Sequence, residues 1–309
     1  MRLRQIEVFR AVMLTGSASQ AARLLHVSQP VVSRVLRHAE LQLGFPLFER
    51  QRGGLLPTPE AKALFGQVQR AWGEIERVDA LAGNLRRGGG GLLRIAATPS
   101  LASALLPDAL AALRRTHPDV ECELWASHTR EIEAHLLAYD VDAGFSIEPA
   151  EHVALSIEGL TAGEMVLVAP RPWAQDVLRL DEHGWLAGRP YIGLDATTPL
   201  GERLAARLAA ADWVPHSAYR VQTYALAGQM VAEGLGYAFV DVYTAARLDP
   251  ARVVALRLAP RVSFELCLMR DAGSAASLLV GRLQACMAGA AEACVAQLAG
   301  RLWAAPLPL

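Results

Sequence analysis

The side chains best suited to meeting a ligand in this 309-residue chain are hydroxyls placed where a strand hands over to a helix. Thr98 and Ser100 form one such pair, beside the strand-like run Leu92–Ala97. Ser127, His128 and Thr129, then Ser146, Thr197, Thr198 and Thr223, fall at comparable points. A hydroxyl next to the free backbone N–H groups of a helix start suits a carboxylate or another anion. Most serines and threonines in such places only cap their own helix. The Thr98/Ser100 pair is therefore the leading candidate, and the others are expected to contribute around it.

Catalytic constellations do not accompany these hydroxyls. His128 and His135 lie seven apart with Glu131 between them, but no HExxH run is present to hold zinc. No G-x-S-x-G elbow occurs, and no cysteine sits beside a plausible histidine partner. Cys122, Cys267, Cys286 and Cys294 are scattered without a CxxC pair, which excludes both a disulfide scaffold and a zinc knuckle. Lys62 is the only lysine beside 29 arginines, and it lies in no phosphate-binding GxxxxGK[ST] loop. Asp140, Asp142 and Glu148 are close in sequence, but strand alternation puts Asp140 and Asp142 on one face with no evident partner. No catalytic residue, metal or cofactor is expected. The candidates point to a binder of small molecules.

The elements at the start of the chain point to a second partner. Leu3, Ile6, Phe9, Val12 and Met13 repeat at helical spacing up to Thr15-Gly16-Ser17. A short helix fits Ser19 to Leu25, with Ala18, Ala21, Ala22 and Leu25 as a small-residue face for close helix approach. Ser28 is placed to cap the next helix, and Pro30 in its first turn sacrifices no hydrogen bond. That helix, running to about Leu43, buries Val32, Val35, Leu36, Ala39 and Leu43, and Gly44 ends it. Its exposed start presents Gln29, Ser33, Arg34 and Arg37, which are residue types that read base edges and phosphates in a major groove. Two extended stretches around Gly53-Gly54 then predict a hairpin with Arg50 and Arg52 on its exposed side.

Charge is distributed accordingly. Residues 1–90 carry 13 Arg/Lys against 7 Asp/Glu, and residues 91–309 carry 17 against 24, so a net charge of −1 hides a basic head on an acidic body. The mean hydropathy of +0.22 comes from Ala and Leu, and no apolar run approaches the ~18 residues that span a bilayer. Charge at Arg2, Arg4 and Glu7 leaves no room for a signal peptide. A cytoplasmic protein with no membrane partner is expected.

The run from Arg4 to Phe65 resembles the LysR-type transcriptional regulators. The resemblance rests on Ser17, Ala21, Ala22, Leu25, Ser28, Gln29, Pro30, Val32 and Ser33 in the helix-turn-helix. Leu43, Gly44, Leu47, Phe48 and Arg50 match the segment that follows, and Thr58 and Ala61 match the end of the wing. Arg4 to Arg10 and the run RAVMLTGS are similar to the branch that regulates opine and amino-acid catabolism. The resemblance implies a mixed architecture. Residues 1–58 form a mainly α winged helix-turn-helix, 59–91 a long linker helix with a glycine hinge, and 92–309 an α/β two-lobed effector domain of the periplasmic-binding-protein type. Lobe I takes 92–164 and 267–309, and lobe II takes 165–266.

The linker and the body can also be read from spacing. Leu64, Ala71, Val78 and Leu85 fall seven apart, as do Ala61, Val68, Ile75 and Ala82, which makes an a/d seam flanked by Phe65 and Trp72. Such a seam either packs on its own chain or pairs with a second copy, and family linker helices dimerise. Gly88 to Gly91 is a hinge. Beyond it the strands 92–97, 120–125 and 141–146 alternate with helices expected over 99–113 and up to Ala138, an order that implies a parallel sheet. Further strands are expected at 165–169, 191–194, 219–222, 237–240 and 266–269, then a helix over about 275–298.

Two lobes joined by crossings near Glu164–Ala169 and Ser263–Met269 enclose a cleft. There the hydroxyls gather at strand carboxyl ends. The residues and the resemblance together predict a regulator of promoters with inverted repeats. It is switched by an anionic or amino-acid-like effector and assembles as a dimer or tetramer, with RNA polymerase as a further partner. An enzyme with a passenger DNA reader, or a purely architectural DNA protein, leaves one half of the chain unexplained.

Overall fold

The computed structural model describes residues 1–51, 54–86, 91–174, 186, 188–194, 199–213, 215–273, 277–302 and 307–308. The chain divides into two compact units, Met1–Ala82 and Gly83–Leu309.

In the first unit three helices, α1 (Leu3–Thr15), α2 (Ala18–Leu24) and α3 (Gln29–Leu43), precede a hairpin of β1 (Phe48–Gln51) and β2 (Gly54–Pro57) and the helix α4 (Pro59–Arg86). Val8, Phe9, Val12, Ala21, Ala22, Val32, Leu36, Ala39 and Leu47 form one buried core. Methyl-sized residues at 21 and 22 let α2 approach closely, as its composition predicts. Gly16 (φ +65°) and Gly44 (φ +82°) end α1 and α3 in the left-handed conformation that a side chain resists. Buried Gln5 ties α1 to α3, because its amide donates to Gln42 Oε1 (2.8 Å) and lies 3.0 Å from His38 Nδ1. The Glu40 carboxylate accepts from the backbone N–H groups of Leu47 and Phe48 and so sets where the hairpin begins.

Two expectations are corrected here. Ser28 occupies the N-cap position of α3, but its side chain makes no capping bond. The a/d seam of α4 is divided. Ala61 and Val68 are buried in the unit's own core with Leu64 and Phe65 packed on it, whereas Ala71 and Ala82 are exposed and Val78 is 66% exposed. The first half of the seam therefore serves its own domain. Thr58 caps the helix with its hydroxyl, 3.2 Å from the Ala61 N–H. Leu85 and the glycine hinge are not described beyond the course of the helix to Arg86 and Gly91.

In the second unit β3 (Leu92–Ala97), β4 (Glu121–Ala126) and β5 (Ala143–Ile147) are mutually parallel in the order β4-β3-β5, as the βαβαβ alternation implies. The helix expected over 99–113 is two, α5 (Pro99–Ala104) and α6 (Leu106–Thr116), broken at Leu105, two residues before Pro107, which lacks an N–H and crowds the preceding turn. The helix α7 (Thr129–Leu137) covers β5 so closely that a Cβ on Gly144 would sit 2.3 Å from Ile132 Cγ2.

The two crossings belong to long strands. β6 (Leu155–Pro170) pairs antiparallel with β11 (Ser263–Asp271) along its first half. Along its second half it pairs with β9 (Ala238–Asp241) and β10 (Val253–Ala259). Glu164, at the changeover, is nearly buried and bridges Arg257 (2.9 Å) and Arg261 (3.6 Å). A separate parallel pair, β7 (Tyr191–Leu194) with β8 (Ser217–Val221), joins this region through the Ile192 N–H to Tyr237 carbonyl bond. The helices α8 (Pro199–Ala210), α9 (Tyr224–Ala232) and α10 (Val242–Arg247) complete it.

The last long helix, α11 (Leu278–Ala299), is long and apolar enough to cross a membrane by length and composition, although Arg282 and Glu292 interrupt it. Val280, Leu283, Met287, Ala291, Cys294 and Leu298 form a stripe at spacings of three and four that is buried in the unit's core. The strand β12 (Leu307–Pro308) pairs with β10.

Candidate functional site

In the first unit, the start of α3 is an open platform. Gln29, Arg34 and Arg37 are exposed and Ser33 is half-buried, while Val32, Leu36 and Ala39 anchor the opposite face. The Gln29 amide donates to Ser33 Oγ at 2.8 Å, four residues on, so the two polar groups present themselves together. Ser28 and Pro30 are exposed at the entry to the helix. The expected hairpin forms, with Arg50 opposite Leu55. The Arg50 side chain and Arg52 lie outside the described residues.

In the second unit, a cleft of about 520 Å³ gathers residues from many elements. Thr98, Ser100, His128, Thr129 and Thr223 all line it, which brings together five of the candidate hydroxyl-region residues from three strand-to-helix turns. The Thr98 hydroxyl is buried and has no hydrogen-bond partner among the described residues. It stands at the N-cap of α5 but forms no capping bond. Thr129, by contrast, is 2.8 Å from Ser146 Oγ, and Thr223 caps α9 by accepting from the Leu226 N–H. Ser146 is fully buried and Ser127 nearly so, and neither lines the cleft. Thr197 and Thr198 lie outside the described residues.

The acidic group weighed above also finds partners. Asp140 Oδ2 is 3.2 Å from His135 Nδ1, and Asp142 Oδ2 accepts from the Arg94 backbone N–H at 2.8 Å. Both precede β5 rather than lying on it, so the strand alternation assumed for them does not apply. Among the described residues no group of three or more His, Cys, Asp or Glu is placed to hold a metal ion.

The opposite wall was not anticipated from sequence. Leu200, Leu204 and Leu208 lie on one stripe of α8, and Tyr191, Trp213, Tyr224 and Phe239 add aromatic surface. Trp213 and Phe239 stand 5.5 Å apart edge to face, and Tyr191 is 5.9 Å from Phe239. The leucine stripe had a readable signal in its four-residue spacing. The aromatic cluster had none, because its members come from four separate segments. Burial pushes the Tyr191 hydroxyl up to about 12. Tyr224 is raised well above its ordinary value by burial, with Asp241 and Tyr191 adding to the effect. Both phenols are therefore neutral at pH 7.

Two arginines tie separate elements of this unit together. Arg203 on α8 pairs with Glu148 just beyond β5 at 3.0 Å and donates to the Ser263 carbonyl. Arg247 at the end of α10 donates to the Ala104 carbonyl (2.8 Å from Nε) and pairs with Asp108 of α6.

An open polar platform on a helix-turn-helix and a ligand-sized cleft in an α/β body together define a ligand-responsive DNA-binding regulator, and comparison with known proteins agrees. Residues 3–62 match the bacterial regulatory helix-turn-helix protein family of lysR type, and residues 86–292 match the LysR substrate binding domain. The chain is 37% identical over 245 residues to the HTH-type transcriptional regulator DgcR of a Pseudoalteromonas species, covering 79% of this chain and 84% of that protein. It is 34% identical over 207 residues to the octopine catabolism/uptake operon regulatory protein OccR of Rhizobium meliloti, covering 66% and 64%. Its fold is similar to that of full-length CbnR complexed with its target DNA, with a TM-score of 0.65 at 21% identity over 94% of this chain and 100% of that one. The chain belongs to the LysR family of bacterial transcriptional regulators. It is a regulator with a DNA-binding helix-turn-helix and an effector-binding domain, and not an enzyme.

Proposed function

We propose that the protein reads an inverted-repeat promoter site with α3 and answers to a small anionic effector held in the cleft. Gln29, Ser33 and Arg34 face the base edges. Ser28, Pro30 and Arg37 lie along the major-groove entry, and Arg50 and Arg52 follow the backbone beside it. Thr98 and Ser100 hold the effector's anionic group with His128, Thr129, Thr197, Thr198 and Thr223 around them, and Ser127 and Ser146 back this end from behind the lining. The domains divide after residues 58 and 91, with lobe I as 92–164 and 267–309 and lobe II as 165–266.

Two copies pair through the exposed second half of the α4 seam, and pairs of dimers form a tetramer that contacts RNA polymerase in the cytoplasm. The observation that carries the effector reading is the buried, unpartnered Thr98 hydroxyl at the edge of a ligand-sized cleft. An unsatisfied buried hydroxyl is costly, and a ligand acceptor restores the missing bond. Selection of bound duplexes from a random pool, followed by footprinting, tests the DNA half. Recovery of an inverted repeat with half-sites spaced by whole helical turns is expected, and a pool that stays random refutes it.

A further inference from the structure

The cleft carries more information than its hydroxyls. Its described lining contains no Asp, Glu, Lys or Arg at all. One end presents the hydroxyls of Thr98, Ser100 and Thr129 with His128, at the start of α7. Most of the remainder is apolar, with Ile147, the Leu200/Leu204/Leu208 stripe and the aromatic surface of Tyr191, Trp213 and Phe239, and Gln222, Thr223 and Tyr224 add uncharged polar groups. We infer that the effector is a monocarboxylate with a bulky aromatic body, its carboxylate against the Thr98 end and its ring against the Trp213–Phe239–Tyr191 wall.

The inference rests on the reading of the cleft as the effector site and names the chemistry that site accepts. A single negative charge finds the hydroxyl donors of Thr98, Ser100 and Thr129, whereas the start of α7 is already capped by Glu131, which accepts from the His128 N–H at 2.9 Å. A second charge on the ligand meets no counter-ion in the described lining and pays its desolvation uncompensated. An ammonium or guanidinium fares the same way, because the described lining holds no carboxylate. A small carboxylate without a body leaves the leucine and aromatic surface wet and forgoes the largest part of the available burial. Neutral phenols on Tyr191 and Tyr224 add donors without adding charge. Charge-rich amino-acid derivatives are thereby disfavoured, in contrast to the amino-acid-like effector the sequence suggests.

The test uses the full chain and 2-naphthoate as the probe in titration calorimetry. Its neutral isostere 2-naphthamide, succinate, acetate and L-arginine serve as the other arms. Binding of 2-naphthoate is expected with a negative heat-capacity change. It should be at least tenfold tighter than the amide and a hundredfold tighter than acetate, succinate or L-arginine.

Thr98→Val keeps the shape and removes the hydroxyl. It should weaken 2-naphthoate about tenfold and leave 2-naphthamide within twofold. Ala205→Phe, at an exposed position on the cleft wall, fills the space of the ring and should weaken both naphthyl probes. A parental thermal unfolding transition of the second unit in both variants verifies folding.

No saturable binding of 2-naphthoate at millimolar concentration overturns the ligand class. Equal affinity for acid and amide overturns its anionic part. Tighter binding of succinate or L-arginine that still falls in Thr98→Val overturns the class and leaves the effector site standing. Binding of 2-naphthoate that neither variant alters removes the site itself.

Discussion

Replacing Arg34 with Ala is the sharpest test of how the protein meets DNA. Arg34 is exposed on the first turns of α3, and its guanidinium makes no hydrogen bond or ion pair within the described residues of its unit. Removing it leaves the core untouched, so the melting free energy should stay within about 0.5 kcal/mol of the parent. The whole effect then falls on binding. If Arg34 grips a guanine edge, each copy loses about 1–3 kcal/mol, a factor of roughly 5 to 150, and the preference at one position of each half-site relaxes. If it holds a phosphate instead, the loss is uniform across sequences. A dimer that gives up one contact per half-site then lowers the slope of log K against log salt by about 1.8, at about 0.9 per phosphate. Fluorescence anisotropy against a selected operator and single-base variants, at several salt concentrations, separates the two outcomes. Unchanged affinity, unchanged base preference and unchanged salt slope in a folded Arg34→Ala protein would refute the role assigned to the α3 platform.

Other perturbations probe assembly, closure and stability. Val78→Asp, at a position 66% exposed within its own unit, should leave the monomer's fold intact and dissociate the oligomer in light scattering. An unaltered mass would show that the seam is not the interface. Arg203→Ala breaks the tie to Glu148 and Ser263; discounted for its half-exposed position, it is worth about 0.5–1 kcal/mol, or two- to fivefold in effector affinity if the tie favours the closed cleft. A double-mutant cycle with Glu148→Gln that shows no coupling would remove the pair from the closure mechanism.

Asp241 is fully buried, and burial raises its carboxyl above the ordinary carboxylate value although Thr244 donates to it twice, at 2.9 and 2.8 Å. A carboxyl raised on folding binds its proton more tightly in the native state. Its contribution is therefore present at low pH and is lost as pH climbs from about 4 through the folded value. Asp241→Asn keeps an acceptor for the Thr244 N–H and should flatten that part of the stability-versus-pH curve in denaturant titrations. A curve of parental slope would show that Asp241 is not its source.

Local spacing determined a good part of this protein. The helix-turn-helix was readable because its small residues, its glycine ends and its apolar repeats at three and four act within one or two turns of chain. The same holds for β3, β4 and β5, whose apolar runs alternate with helices, and for the hydroxyls at their ends. Long-range packing decided the rest. The α4 seam looks uniform in sequence, yet its first half is buried against Phe9 and its neighbours while Val78 is left outward. A heptad pattern records that a face is apolar and not what covers it. The split of one expected helix at Leu105 follows from Pro107, whose missing N–H and ring interrupt the preceding turn, a local signal that periodicity alone passes over.

The cleft shows the division most clearly. Thr98 and Ser100 could be chosen from a strand-to-helix turn, but the loss of Thr98's capping bond depends on the backbone around it. Tyr191, Trp213 and Phe239 lie on separate segments and converge only because β7, β9 and the turn after α8 pack side by side. The hydroxyl end of the site was thus determined by neighbours in sequence. Its aromatic wall, and with it the kind of ligand the cleft can hold, was decided by contacts between residues far apart in the chain.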